Sequence, residues 1–273
     1  TYIEMTIGLL QQVGAMVKTS EDLRVIRVGP PTAGAAVGLK AFDYDVEPDA
    51  SGATYFWAAA AINPGSLARV TGLSHRSLQG DADFPSLLAR MGAVIEQHPA
   101  TPTTPHGVGQ GVGFAAAPQS ETSEARTHFI RVGGPGRLEP IMADLSKMPD
   151  TAMTLASVAC FASGMSILRG LRTLRVKETD RIEAMRNELT KIGVKIDCPV
   201  MGDHDVMGIT PPPGDMALAS SRVEFDTYDD HRMAMSLALI GLRRPNVFIK
   251  DPQCVAKTYP TFWRDLARLY VNA

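Results

Sequence analysis

The chain has 273 residues, 45% of them hydrophobic and 21% charged, with a formal net charge of −2. That is enough for one large domain or two small ones with a sizeable core, and it excludes wholesale disorder. The lack of a basic run speaks against nucleic acid, no apolar stretch reaches membrane-spanning length, and three cysteines without paired spacing (Cys160, Cys198, Cys254) fit a reducing, cytoplasmic compartment.

The opening "TYIEMTIGLLQQVGAMV" is an amphipathic helix already under way, without initiator Met, signal peptide or transit peptide. It reads as a fragment, or as a chain whose upstream part is not shown. Further on, three segments begin with Asp at a helix N-cap and continue as nearly all-apolar helices rich in small residues. They are "DASGATYFWAAAAI" from Asp49, "DTAMTLASVACFASG" from Asp150 and "DHRMAMSLALIG" from Asp230. A helix apolar all round belongs inside its domain. Each is followed by a β-like run ("SLARVTGL", "MSILRGL", "NVFIKD") and a charged turn ("LQGDADF", "VKETDR", "CVAKTYP"). A second helix then closes each unit: "PSLLARMGAVI", "IEAMRNELTKIGV", "TFWRDLARLYV". Helix–strand–turn–helix units in series predict an α/β fold of repeated modules around buried helices. Residues 97–127, rich in Pro, Thr, Gly and Ser, read as a long surface loop. Its "GVGQGVG" has no preceding strand or following helix and is no dinucleotide motif.

In "LRVKETDRIEAMRNELTKIGVKI", Thr179 or Asp180 is the expected N-cap. Ile182, Met185, Leu189 and Ile192 share one face, and Gly193 ends the helix. Arg181 therefore falls in the first turn, against the helix dipole, and Arg232 has the same placement after Asp230. Free N–H groups at a helix start beside a guanidinium fork suit a phosphate or carboxylate. The alternative is a solvated ion pair of Arg181 with Glu178, and of Arg232 with a neighbouring Asp. Lys257 supplies a further cation in the third charged turn. Asp150, Glu178 and Asp230 bring carboxylates to the unit junctions, which would let one site bind a polyanion and keep acid/base groups. By pattern alone Asp150 is a plain N-cap, His231 a packing or capping histidine and Cys254 an inert small residue. The six histidines lack metal-ligand spacing, so no metal is expected.

The segments "LRVKETDRI", "YDDHRMAMSLAL" and "DPQCVAKTYPTFW" resemble the signature stretches of the 5-enolpyruvylshikimate-3-phosphate synthase family. "YDVEPDASGATYFWAAAAI", "SLQGDADFPSLLARMGA" and "MPDTAMTLA" match the same family in order and spacing. The resemblance implies an enolpyruvyl-transferase-like fold in two domains, with residues 1–46 the tail of one and 47–273 most of the other. It implies transfer of the enolpyruvyl group of phosphoenolpyruvate to the 5-hydroxyl of shikimate 3-phosphate, with release of phosphate, on the route to chorismate and the aromatic amino acids. No metal or organic cofactor is implied.

Carried over by motif, Arg181, Arg232 and Lys257 would bind phosphoenolpyruvate. Asp150 and Lys177 would hold the shikimate hydroxyls, and Tyr2 would line the shikimate 3-phosphate site. Asp150 and Glu178 would move protons. Thr173 stands where the family commonly has a substrate-contacting Asn. The family's Lys-Ser…Arg segment, Ser-Ser-Gln phosphate loop and glycine-rich loop would lie upstream of Thr1, so a missing amino-terminal half is the implied partner. The other readings are an isolated half that only binds anions or its partner half, and the sister UDP-N-acetylglucosamine enolpyruvyl transferase.

Overall fold

The computed structural model describes residues 2–30, 41–74, 76–98 and 128–270. The chain begins with α1 (Tyr2–Gln12) and an antiparallel hairpin of β1 (Met16–Thr19) and β2 (Ile26–Gly29), on which no residue is fully buried. Three units follow. The first contains α2 (Ala50–Ile62), β3 (Leu67–Thr71), α3 (Phe84–Arg90), β4 (Val94–His98) and β5 (Phe129–Gly133). The second contains β6 (Met142–Asp144), α4 (Ala152–Ala159), β7 (Ser166–Arg169), α5 (Arg181–Thr190), β8 (Lys195–Asp197) and β9 (Met207–Thr210). The third contains β10 (Val223–Phe225), α6 (His231–Ala238), β11 (Val247–Ile249) and α7 (Phe262–Ala267).

The expected buried helices form the centre. In α2 only Ser51 and Phe56 escape full burial, α4 is buried along its whole length, and in α6 only Arg232 is not buried. Alanine and other small residues let the backbones approach, and the polar atoms at the contact satisfy one another. Thr54 Oγ1 lies 3.5 Å from Thr154 Oγ1, which lies 3.3 Å from Ser236 Oγ, so each helix gives one hydroxyl to a buried chain. Asp49 caps α2 by accepting from Ser51 N (2.9 Å), and the Trp57 indole donates to Ile130 O (3.2 Å), tying α2 to β5. Truncating a buried aromatic of this kind to alanine costs on the order of 3–5 kcal/mol.

The sheets sit outside these helices. The first has the order β3-β5-β4, all antiparallel, and the second β6-β7-β9-β8, with β6 parallel to β7. The third is the parallel pair β10-β11. After β3, β7 and β11 the chain turns at Gly72 (φ +82°), Gly170 (φ +74°) and Asp251 (φ +45°), within two residues of the strand end in each unit. At Gly170 a Cβ would meet Asp144 Oδ1 and Ser146 N at 2.7 Å, so glycine is required there on space as well as on φ.

The expected second helices are shorter than predicted. α3 stops at Arg90, and Gly92 (φ +101°) redirects the chain so that "AVI" runs into β4 instead of continuing the helix. The opening helix likewise ends at Gln12, and "MV" begins β1. Gln97 and His98 close β4 instead of opening the expected 97–127 loop, whose remaining residues, from 99 on, lie outside the described ones. Among the described residues no helix is long and apolar enough to cross a membrane.

Candidate active site

Distant stretches of chain converge on two carboxylates. Pro149–Thr151 forms a single 3-10 turn ahead of α4, and Asp150 within it does not cap the helix; Thr151 stands at the cap position without a side-chain bond. The plain N-cap expected of Asp150 is therefore overturned, and the reason is tertiary. Its carboxylate, 5% exposed, accepts from the Tyr2 hydroxyl and from Arg181 Nη1 (3.0 Å), with Arg232 Nη2 at 3.2 Å and Lys177 Nζ at 3.3 Å. Lys177 also lies over the Tyr2 ring, 5.7 Å from its centroid.

Glu178 is the second meeting point. Its Oε2 accepts from Arg181 Nη2 (2.8 Å) and its Oε1 from Lys257 Nζ (2.7 Å). The local Arg181–Glu178 pair thus exists, but it is not a solvated pair on a helix surface. Arg181 is 1% exposed, and its Nε and Nη2 also bind Asp230 at 2.7 and 3.2 Å. A guanidinium withdrawn from water holds its charge only with several carboxylates around it, and here Asp150, Glu178 and Asp230 supply them.

Capping explains the placement. Asp180, not Thr179, caps α5 by accepting from Ile182 N (3.1 Å) and Glu183 N (3.2 Å), which sets Arg181 in the first turn. Asp230 caps α6 by accepting from Arg232 N (2.9 Å) while it binds Arg181 from the other side. Ile182, Met185, Leu189 and Ile192 anchor α5 in the core, and Gly193 (φ +82°) ends that helix. The carboxylates offset the unfavourable dipole at both helix starts.

The protonation of the cluster follows from these contacts. Lys257's hydrogen bond is the main cause that brings the Glu178 carboxyl down to about 2, with Arg181 adding to it. Burial pushes the Asp150 carboxyl upward, but Arg232, the Tyr2 hydroxyl, Lys177 and Arg181 together hold it below the ordinary value. Both carboxylates are ionised at neutral pH. Burial, then Arg232, lowers the pKa of His231, whose Nδ1 is enclosed, has no hydrogen-bond partner among the described residues and stands 3.9 Å from Asp230 Oδ1. Burial raises the Cys254 thiol, which disfavours its thiolate.

Tyr2, Asp150, Lys177, Glu178, Arg181, Arg232 and Lys257 are therefore all brought together. Thr173 is not: it is exposed on the 3-10 turn Arg172–Val176, and among the described residues no hydrogen bond or ion pair joins it to the cluster. Two neighbours were not singled out from sequence. The Asp81 carboxyl, which accepts from the Ser51 hydroxyl, is pushed up by burial and acts on Arg232. Tyr55 does so from α2. Asp81 lies in the "LQGDADF" turn, equivalent to "VKETDR", and that equivalence was the available signal. Cations outnumber carboxylates on the exposed side, where Lys257, Lys177 and Arg232 are within reach of solvent. An arriving polyanion would compete there with Asp150 and Glu178 for their partners. Among the described residues no group of His, Cys, Asp and Glu is arranged to hold a metal ion.

The family model for EPSP synthase (3-phosphoshikimate 1-carboxyvinyltransferase) matches residues 1–266. A 3-phosphoshikimate 1-carboxyvinyltransferase of Yersinia ruckeri is 36% identical over 272 residues, 100% of this chain and 53% of the relative. One from Sulfurovum sp. is 35% identical over 265 residues, 97% of this chain and 52% of the relative. Among solved structures, EPSP synthase from Acinetobacter baumannii superposes with a TM-score of 0.70 at 25% identity, covering 97% of this chain and 54% of that one. The enolpyruvyl transferase NikO from Streptomyces tendae shares the fold, with a TM-score of 0.64 at 18% identity, 97% of this chain and 52% of its own being covered. The chain spans about half the length of the curated relatives it matches. With the family model covering nearly the whole chain and the curated relatives agreeing with it, the chain belongs to the EPSP synthase family.

Proposed function

We propose that this chain is the carboxy-terminal part of an enzyme that transfers the enolpyruvyl group of phosphoenolpyruvate to the 5-hydroxyl of shikimate 3-phosphate, releasing phosphate. The observation that carries this is the gathering of Lys177, Arg181, Arg232 and Lys257 on Asp150 and Glu178. Both substrates carry phosphate and carboxylate, and a cluster of cations at two helix starts is matched to them. Arg232 and Lys257, more accessible than Arg181, grip the donor. Four of the five N–H groups of Arg181 are engaged, one on Nε, one on Nη1 and two on Nη2, so it offers the donor less than Arg232 and Lys257 do while Glu178 and Asp150 hold it. Asp150, Lys177 and the Tyr2 hydroxyl face the acceptor.

In the reaction the 5-hydroxyl attacks C2 of phosphoenolpyruvate and loses its proton, while the methylene carbon gains one. The tetrahedral intermediate then expels phosphate and gives the carbon-bound proton back. Asp150 and Glu178, both ionised at rest, begin as proton acceptors, and a proton delivered to carbon must first be loaded on one of them. The cations stabilise the departing phosphate.

The upstream half of the polypeptide supplies the facing wall of the site, as the length of the relatives supports. In this reading residues 1–46 belong to the second domain and 47–273 to the first, and the enzyme works in the cytoplasm.

Phosphate release by the complete polypeptide, measured with phosphoenolpyruvate and either shikimate 3-phosphate or UDP-N-acetylglucosamine, tests the proposal. Release with shikimate 3-phosphate alone is expected. Release only with the nucleotide sugar assigns the sister activity, and release with neither refutes the transferase reading.

A further inference from the structure

Tyr55 is buried on α2, 1% exposed, and its ring is held edge-on against Phe262 at 5.7 Å and 76°. Its hydroxyl is enclosed and, among the described residues, makes no hydrogen bond of ordinary geometry. The charge acting on it most strongly is the Arg232 guanidinium, which also reaches it as a hydrogen-bond donor outside ordinary geometry. A buried hydroxyl whose one donor is poorly aligned is under-satisfied, and a second conformation of that donor becomes the natural explanation. Arg232 supplies one. In this arrangement its Nη2 is drawn to Asp150 Oδ2 at 3.2 Å, where the carboxylate neutralises the charge that an incoming anion needs.

We propose that the Tyr55 hydroxyl is the neutral acceptor that holds the Arg232 guanidinium in place once a bound anion has drawn it away from Asp150, which makes Tyr55 a positioning residue of the donor site. The inference rests on the reading above, in which Arg232 grips phosphoenolpyruvate. A phenol suits the task because it fixes the direction of the guanidinium without cancelling its charge. Burial, offset in part by Arg232, lifts the Tyr55 hydroxyl to about 12, so it stays neutral at any working pH. The position of the hydroxyl is defined to the same degree as the helix core, since neighbouring Thr54 joins the buried hydroxyls of Thr154 and Ser236, the latter on Arg232's own helix. The exchange of partners also frees Asp150 for the acceptor's hydroxyls.

The test is Tyr55→Phe in the complete polypeptide. Phosphoenolpyruvate and inorganic phosphate are titrated by calorimetry, turnover is measured in parallel, and the melting temperature is taken without ligand. At rest the hydroxyl makes no hydrogen bond of ordinary geometry and meets only a poorly aligned Arg232 guanidinium, so its removal should change the ligand-free melting temperature little. The dissociation constant and KM for phosphoenolpyruvate should rise about tenfold, with kcat and the KM for shikimate 3-phosphate within about twofold of the unsubstituted protein. A lowered melting temperature with unaltered phosphoenolpyruvate affinity would make Tyr55 a packing residue and overturn the inference. If the unsubstituted protein binds phosphoenolpyruvate but does not turn it over, the transferase reading fails while the two dissociation constants still decide the role of Tyr55. If it binds neither phosphoenolpyruvate nor phosphate, both fall.

Discussion

Replacing Asp230 by alanine should be among the most destabilising changes in this chain. Asp230 is fully buried and does two jobs at once: it caps α6 through Arg232 N at 2.9 Å and it binds Arg181 Nε and Nη2 at 2.7 and 3.2 Å. Loss of the cap costs about 1 kcal/mol. Removing one partner from a buried, hydrogen-bonded charge costs about 3–5 kcal/mol, and the low end applies because Asp150 and Glu178 still hold Arg181. The sum is about 4 kcal/mol. Asp230→Asn keeps the cap and one acceptor, so it should cost about 1 kcal/mol less. Asp49→Ala is the internal control, because Asp49 caps α2 in the equivalent unit through Ser51 N at 2.9 Å and has no ion pair with an arginine among the described residues; about 1 kcal/mol is expected. Urea unfolding of the complete polypeptide, followed by circular dichroism, measures all three. Equal losses for Asp230→Ala and Asp49→Ala would refute the claim that Asp230 keeps the buried Arg181 charge in place.

Glu178→Gln retains size and hydrogen bonding but removes the titrating group, so kcat in the complete polypeptide should fall on the order of a hundredfold or more while phosphoenolpyruvate still binds; wild-type turnover would leave Glu178 an ion-pair partner only. Acid stability carries the same signature. Glu178 drops from its ordinary 4.5 to about 2 on folding, so its contribution is complete above about pH 4.5 and is lost as pH falls through 2. Urea midpoints at pH 5 and pH 3 should therefore converge more closely in Glu178→Gln than in the unsubstituted protein, and equal pH dependence would contradict that. Expressed alone, the 273 residues should release no phosphate from the two substrates, since water screens an open cluster and neither orientation nor desolvation is provided; turnover by this chain alone would show the upstream half to be dispensable.

The three buried helices were legible because their signals are local: an Asp at the cap, then small and apolar residues with no polar face. Asp49 and Asp230 are caps as read, and Asp180 was one of two candidates. Asp150 misled because the same residue type before the same kind of helix is claimed here by Arg181, Arg232, Lys177 and Tyr2, none of which is near it in sequence. The hairpin strands that complete the first two units, β4 with β5 and β8 with β9, were not read. Strands of three to five residues carry little period, and the "AVI" after Gly92 continues an apolar helical pattern that only the backbone turn at φ +101° interrupts. The cation cluster was half legible. Cations at helix starts gave it away, but the depth of Arg181 and the presence of Tyr55 and Asp81 beside Arg232 depend on how the units pack.

The central claim is that Arg232 and Lys257, 25 residues apart (232 to 257), close on one donor molecule across the carboxylates that now hold them. Calorimetric titration of phosphoenolpyruvate into the complete polypeptide, in the presence of shikimate 3-phosphate, tests it most directly. Arg232→Ala and Lys257→Ala should each weaken binding by at least about tenfold, as expected for loss of a hydrogen bond to a charged group, while Arg137→Ala on the exposed surface leaves it unchanged. Unaltered affinity in both site variants would contradict the account.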